Sequence, residues 1–165
     1  MVSTDDVRRL REMTGAGIMD CKRALEETRG DFDKAIEVLR QQGLAQAAKR
    51  SERVTEQGLV EAYIHTGGRV GALVELLCET DFVARTDEFK ELAHDIALQV
   101  TATAPAAISE DEDGARELEA GELVLLKQPF IRDQSRTIED LLKEAIAKTG
   151  ENIRIRKVAR FEVGR

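Results

Sequence analysis

Between Gly58 and Val100 the hydrophobic period changes, and that change limits the fold more than any other feature of the chain. Val60, Ala62 and Ile64 alternate, as do Ala72, Val74 and Leu76, the period-two pattern of strands. Phe89, Leu92, Ala93, Ile96 and Val100 then recur at helical spacing. The two alternating runs, Gly58 to His65 and Val70 to Cys78, flank Thr66-Gly67-Gly68-Arg69 and read as a β-hairpin. The switch from one period to the other falls on Cys78-Glu79-Thr80-Asp81-Phe82-Val83-Ala84. A strand end is a rigid base for a projecting side chain. The whole chain has only five Phe, one Tyr and no Trp, so an aromatic at that point calls for a reason. From the residues alone, two readings of Phe82 stand. It is a core side chain behind a Thr80 or Asp81 helix cap, or it is an anchor aimed at a partner.

Residues 1–45 read as three short helices. Val7, Leu10 and either Met13 or Thr14 share a face of the first. Thr14-Gly15-Ala16-Gly17 breaks it. Ile18, Cys21, Leu25 and Thr28 follow at helical spacing, with Met19 off that face. Asp31 is placed to cap a third helix that buries Phe32, Ala35, Ile36 and Leu39 and meets Gly43. Residues 46–56, alanine-rich and then charged, read as a helical or extended linker. Residues 57–165 read as a second unit. Within it, residues 106–122 form an acidic connector, with seven acids and one Arg between Glu110 and Glu122. Thr137 and Asp140 open a helix like a capping box, Ile138, Leu141, Leu142, Ala145 and Ile146 give it an apolar face, and Gly150 stops it. A last strand spans about residues 152–163. Ile153, Ile155, Ala159, Phe161 and Val163 are expected on one side of it and Arg154, Arg156 and Arg160 on the other. Lys157 and Val158 interrupt the alternation, the mark of a bulge or an exposed edge. The fold class is therefore α+β: a helical bundle, then a core with a small three-stranded antiparallel sheet and packed helices.

Composition narrows the function. The net charge of -7 argues against a general nucleic-acid binder. The local basic groups, Lys49 to Arg53 and Arg154 to Arg160, read as solvated faces. No apolar run approaches a membrane span, and the first residues lack the basic and apolar regions of a signal peptide. Cys21 and Cys78 are too far apart in sequence for a metal or disulfide pattern, which fits a reducing cytoplasm. His65 and His94 have no neighbour at ligand spacing, and Gly15 and Gly17 lack the strand and the Lys-Ser/Thr of a phosphate loop. No enzyme, cofactor or metal is expected. Two other readings stay open at this level: a non-catalytic protein-binding module, and a small hydrolase built on Cys78 and His94.

Four stretches carry a resemblance. Thr14 to Leu25, Glu79-Thr80-Asp81-Phe82-Val83-Ala84-Arg85, Gln128-Pro129-Phe130, and Gly150-Glu151-Asn152-Ile153 through Arg160-Phe161-Glu162-Val163-Gly164 resemble, in order, the motifs of bacterial elongation factor Ts. The resemblance implies a ubiquitin-associated-like N-terminal bundle and a guanine-nucleotide exchange factor for elongation factor Tu. In that family the Thr-Asp-Phe-Val turn enters the partner's GTPase domain beside its magnesium and phosphate sites. Carried over, Phe82 is the wedge, Asp81 gives polar contact beside it, and Thr80 and Val83 complete the turn. Arg11, Ile18 and Met19 match a second contact on the same domain, with Ile18 where many relatives have Met. The chain holds one core copy where long members have two, and a shorter segment before Gln128. Single-copy members also pair through their sheets, so a homodimer is a further expectation.

Overall fold

The computed structural model describes residues 2–112 and 124–165. Three helices come first: α1 (Thr4–Thr14), α2 (Ile18–Glu27) and α3 (Phe32–Arg50). Their starts follow local chemistry. Ser3 and Asp6 form a capping box on α1, and the Asp31 carboxylate accepts from the Lys34 amide at α3. Val7, Leu10, Cys21, Ala24, Leu25, Ala35 and Leu39 make the bundle's core. Thr14, not Met13, turns inward at the end of α1; its hydroxyl donates to the Leu10 carbonyl at 2.7 Å. Ile18 keeps the helical spacing of Cys21 and Leu25 but lies in the first turn of α2, where it is exposed.

The third helix does not end at Gly43. It runs on through Ala47 to Arg50, and Ala47 is buried with the second unit's core. The continuation is possible because Gly43 faces α6 (Ile138–Thr149) at close quarters: a Cβ there would lie 2.9 Å from the Ala147 Cβ. Arg50 Nη1 donates to the Ile146 carbonyl at 3.1 Å, which ties the last turn of α3 to the end of α6. A glycine in mid-helix costs about 1 kcal/mol relative to Ala. Here it buys close helix packing instead.

The second unit holds β1 (Gln57–Ile64), β2 (Val70–Cys78), α4 (Asp81–Ala84), α5 (Asp87–Thr103), a short hairpin of β3 (Pro129–Phe130) and β4 (Asp133–Thr137), then α6 and β5 (Arg154–Glu162). The main sheet is antiparallel in the order β1-β2-β5. Leu59, Glu61 and Tyr63 of β1 stand beside Leu76, Val74 and Ala72 of the central strand, on the face that α5 covers. Phe89, Leu92, Ala93, Ile96, Ala97 and Val100 supply the α5 side of that core. The Thr137 and Asp140 capping box at α6 is formed as the residues suggest. Residues 113–122 of the expected acidic connector lie outside the described residues. Ala107, at its start, is buried and bridges to Val124.

The alternation expected for the last strand is broken by a bulge. Lys157 pairs with Glu75 while Ile155 pairs with Leu76, which leaves Arg156 as the extra residue. One extra residue reverses the facing of everything after it. Val158 and Arg160 therefore join Ile155 on the inner face, opposite Val74 and Ala72. Phe161, expected beside Ile155, points outward and is exposed, as is Val163. Arg160 is accommodated on the inner side because its Nε donates to the Thr101 carbonyl at 3.0 Å and its Nη1 reaches Glu162 at 2.9 Å.

A second close approach pins the hairpin register. Gly58 has φ 152°, and a Cβ on it would stand 2.1 Å from the Leu76 carbonyl oxygen. Gly58→Ala is expected to lower stability by roughly 2–3 kcal/mol. Thermal unfolding followed by circular dichroism measures this.

Candidate partner-binding site

The central strand delivers the chain from the core to the surface in four residues. Cys78 is fully buried, whereas Phe82 has 79% of its surface exposed. The core reading of Phe82 is thereby excluded. Thr80 takes an extended conformation and caps α4, its hydroxyl accepting from the Val83 amide at 3.4 Å. A helix of four residues has no stability of its own. Its inward side holds it: Ala84 is buried and Val83 packs against the main core. Asp81 stays on the outer side, paired with Arg85 at 2.9 Å. Thr86 then accepts from the Phe89 amide and starts α5.

The turn is also held from the other end of the chain. Both oxygens of Glu151 are engaged by it: Oε2 accepts from the Glu79 and Thr80 amides at 3.1 and 3.0 Å, and Oε1 from the Thr80 hydroxyl at 2.6 Å. In return, Glu79 Oε1 accepts from the Asn152 amide at 2.6 Å. The Asn152 side chain donates to the carbonyls of Ser51 and Arg53, at 3.1 and 2.8 Å, just past the end of α3. Arg53 lies 3.5 Å from Glu79 and offsets its charge. Glu151 was not visible as a support from residue patterning; its only signal was its place in the Gly150-to-Ile153 stretch.

A second exposed apolar group surrounds the loop between α1 and α2. Met13, Ile18 and Met19 are all exposed there, and Arg11 is exposed in the last turn of α1. Met13 escaped the sequence reading because helical spacing alone did not separate it from Thr14. The loop is kept short by Gly15, whose left-handed conformation ends α1 with its N–H donating a hydrogen bond to the Arg11 carbonyl.

The reactive residues are engaged elsewhere. The Cys78 thiol donates to the Thr80 carbonyl at 3.1 Å. Burial, aided by the Glu151 carboxylate, pushes it up to about 11. His94 pairs through Nδ1 with Glu61 at 3.0 Å and meets Tyr63 edge-on, so Cys78 and His94 do not form a nucleophile pair. Gln128 and Pro129 have structural work. The buried Gln99 amide donates to Gln128 Oε1 and the Pro129 carbonyl and accepts from the Ile131 amide, which locks the small hairpin to α5. Among the described residues no cluster of His, Cys, Asp or Glu is arranged to hold a metal ion, and no helix is long and apolar enough to cross a membrane.

Fold and site thus define an α+β protein with exposed apolar side chains at a braced turn and at a bundle loop, and with its cysteines buried. The chain belongs to the elongation factor Ts family: the family described as Elongation factor TS matches residues 22–119. It is 48% identical to Elongation factor Ts of Carboxydothermus hydrogenoformans, over 99% of this chain and 90% of that protein. It is 47% identical to those of Herpetosiphon aurantiacus and Moorella thermoacetica, again over 99% of this chain and over 98% and 96% of theirs. The alignments with the first and third run to 195 positions, more than this chain's 165 residues, so those relatives carry positions that it lacks.

A thiol raised to about 11 is ionised to only roughly one part in a thousand at pH 8. Cys78, and Cys21 with its own burial-raised thiol, are expected to resist a disulfide reagent such as dithionitrobenzoate in the native protein and to react once guanidinium unfolds it. Absorbance of the released thiolate measures both.

Proposed function

We propose that this chain is a guanine-nucleotide exchange factor of translation elongation in the cytoplasm. It binds elongation factor Tu in its GDP-bound state, promotes release of GDP, and so allows GTP to bind. The observation that carries the reading is Phe82, an exposed aromatic on a short helix anchored at both ends, in a chain of the elongation factor Ts family. Exchange needs no bond-making by the factor. A protein that binds the nucleotide-free partner best weakens the partner's hold on nucleotide by the same factor, because the coupling is reciprocal. The partner's magnesium demands near-ideal octahedral geometry, so a small displacement of its surroundings is enough. Phe82 is the displacing group, inserted between two helices of the partner. Asp81 makes polar contact beside it, and Thr80 and Val83 fix the turn. Arg11, Ile18 and Met19 make the second contact, through which the bundle holds the same domain.

A second copy of this chain is the further partner we propose, packed on the outer face of the sheet. That face carries the rows Val60, Glu75, Lys157; Ala62, Leu73, Ala159; and Ile64, Gly71, Phe161. Val60, Ile64, Leu73 and Phe161 are exposed on it. On it Glu75 pairs with Arg156 at 2.9 Å, which leaves Lys157 as the cation of that row. Two such faces meet in a two-fold sandwich, the ordinary way sheets pack face to face.

Release of fluorescent GDP from elongation factor Tu tests exchange directly, and the chain is expected to accelerate it. Phe82→Ala should remove about 2 kcal/mol or more of the interaction, roughly thirtyfold, with thermal stability nearly unchanged because the ring is exposed. Binding without release would leave a protein-binding module of another kind. Sedimentation equilibrium tests the pairing: the wild-type chain is expected as a dimer and Phe161→Glu as a monomer. A wild-type monomer across the micromolar range would rule the sandwich out.

A further inference from the structure

We infer that Glu151 is the positioning residue of the exchange wedge: it holds the Glu79–Thr80 backbone and the Thr80 hydroxyl, and through them the direction in which Phe82 projects. The inference rests on the exchange reading and adds to it a residue that acts through the turn it holds.

The geometry carries the argument. Glu151 gives both carboxylate oxygens to one turn, in three hydrogen bonds of 3.1, 3.0 and 2.6 Å. Hydrogen bonds to an ionised acceptor are the stronger kind. The Thr80 hydroxyl is bound in both directions, donating to Glu151 and accepting from Val83. Its rotamer is therefore fixed, and with it the start of α4. The clasp is reciprocal, since the Glu79 carboxylate accepts from the Asn152 amide while the Glu79 amide donates to Glu151. Two chain segments more than seventy residues apart thus lock each other. Without Glu151 two amides and a hydroxyl lose their acceptor. The four-residue helix then keeps the long Thr80 cap, the Cys78 thiol's bond to the Thr80 carbonyl, the Asp81–Arg85 pair on its outer side and two apolar side chains. The exposed ring of Phe82 takes its direction from this backbone. Loss of orientation in a group that must enter a narrow gap costs rate even when the group is present.

The link extends further. Asn152, next in sequence, holds the carbonyls that follow α3, and α3 is one of the bundle's three helices. Glu151 and Asn152 therefore sit where the turn and the bundle's long helix are joined. A positioning role here fixes the wedge relative to the frame that carries Arg11, Ile18 and Met19.

The test uses the full chain and GDP release from elongation factor Tu. Glu151→Ala is expected to lower the maximal release rate by about tenfold, no more than Phe82→Ala does. Glu151→Gln, which keeps an acceptor oxygen, should lie between it and wild type. In the free protein, hydrogen exchange at the Glu79 and Thr80 amides should rise in both variants, while the amides of α5 and β2 keep their protection. A double-mutant cycle separates positioning from plain destabilisation. In a Phe82→Ala background, Glu151→Ala should add less than about a twofold further loss, because the brace acts through the ring. Full multiplicative loss in the double variant would overturn the inference, as would an unchanged rate and unchanged Thr80 protection in Glu151→Gln. If Glu151→Ala fails to fold, Glu151→Gln and Thr80→Val, which removes the hydroxyl donor, carry the same cycle. A wild-type chain that does not accelerate release removes the exchange reading itself; acceleration by wild type with unaltered Glu151 variants removes the brace alone.

Discussion

The burial of the central strand under α5 is the interaction on which the rest depends. Ala72, Val74, Leu76 and Cys78 are all buried, and the strand is paired along both edges. Such a strand has no freedom to slip, because a shift of one residue would send its apolar set to the wrong face. Its last residue is therefore a fixed point. The turn that follows begins at a known place and direction, and a helix too short to stand alone can still be rigid there. Stiffness at the surface is borrowed from the core.

A second constraint joins the two units. A loose tether after the bundle would let its exposed Met13, Ile18 and Met19 wander relative to Phe82. Instead, α3 continues into the second unit. Its late residues meet α6 at Gly43 and Arg50, and Asn152 closes off the residues just beyond it. The two apolar groups are thus carried on one continuous path of packed backbone. Simultaneous engagement of two sites on one partner gains most when the distance between them is preset.

Much of this was legible in the residues, for definite reasons. The hairpin, α5 and α6 showed themselves because one face of each is buried and the period is clean. The caps at Asp31 and Thr137 showed because short polar side chains satisfy the first amides of a helix and little else competes for that position, while the cap before α4 was open between Thr80 and Asp81 until the fold gave it to Thr80. What was hidden depended on partners distant in sequence. Gly43 looks like a stop until Ala147 is opposite it. Phe161 looks like a core residue until the extra residue at Arg156 is counted against β2. Glu151 is one acid among 32 acidic side chains, and only the fold brings it to Thr80. At the site itself the sequence singled out Phe82, which the fold leaves exposed, but offered no view of what steadies the turn that carries it.

The bulge in β5 makes the outer face of the sheet a matter of arithmetic rather than composition. Substitutions one at a time can make that face more or less greasy, but they leave it outermost. Flattening the bulge with every residue kept would do something different in kind, because the strand beyond it would slip by one position. Phe161 and Val163 would rotate toward α5, Arg160 would turn out to water, and the same amino acids would present a charged exterior. Deleting Arg156 would instead close the bulge and keep Lys157 opposite Glu75, so the outer face of this sheet is set by where the extra residue sits and not by the number of residues in the strand.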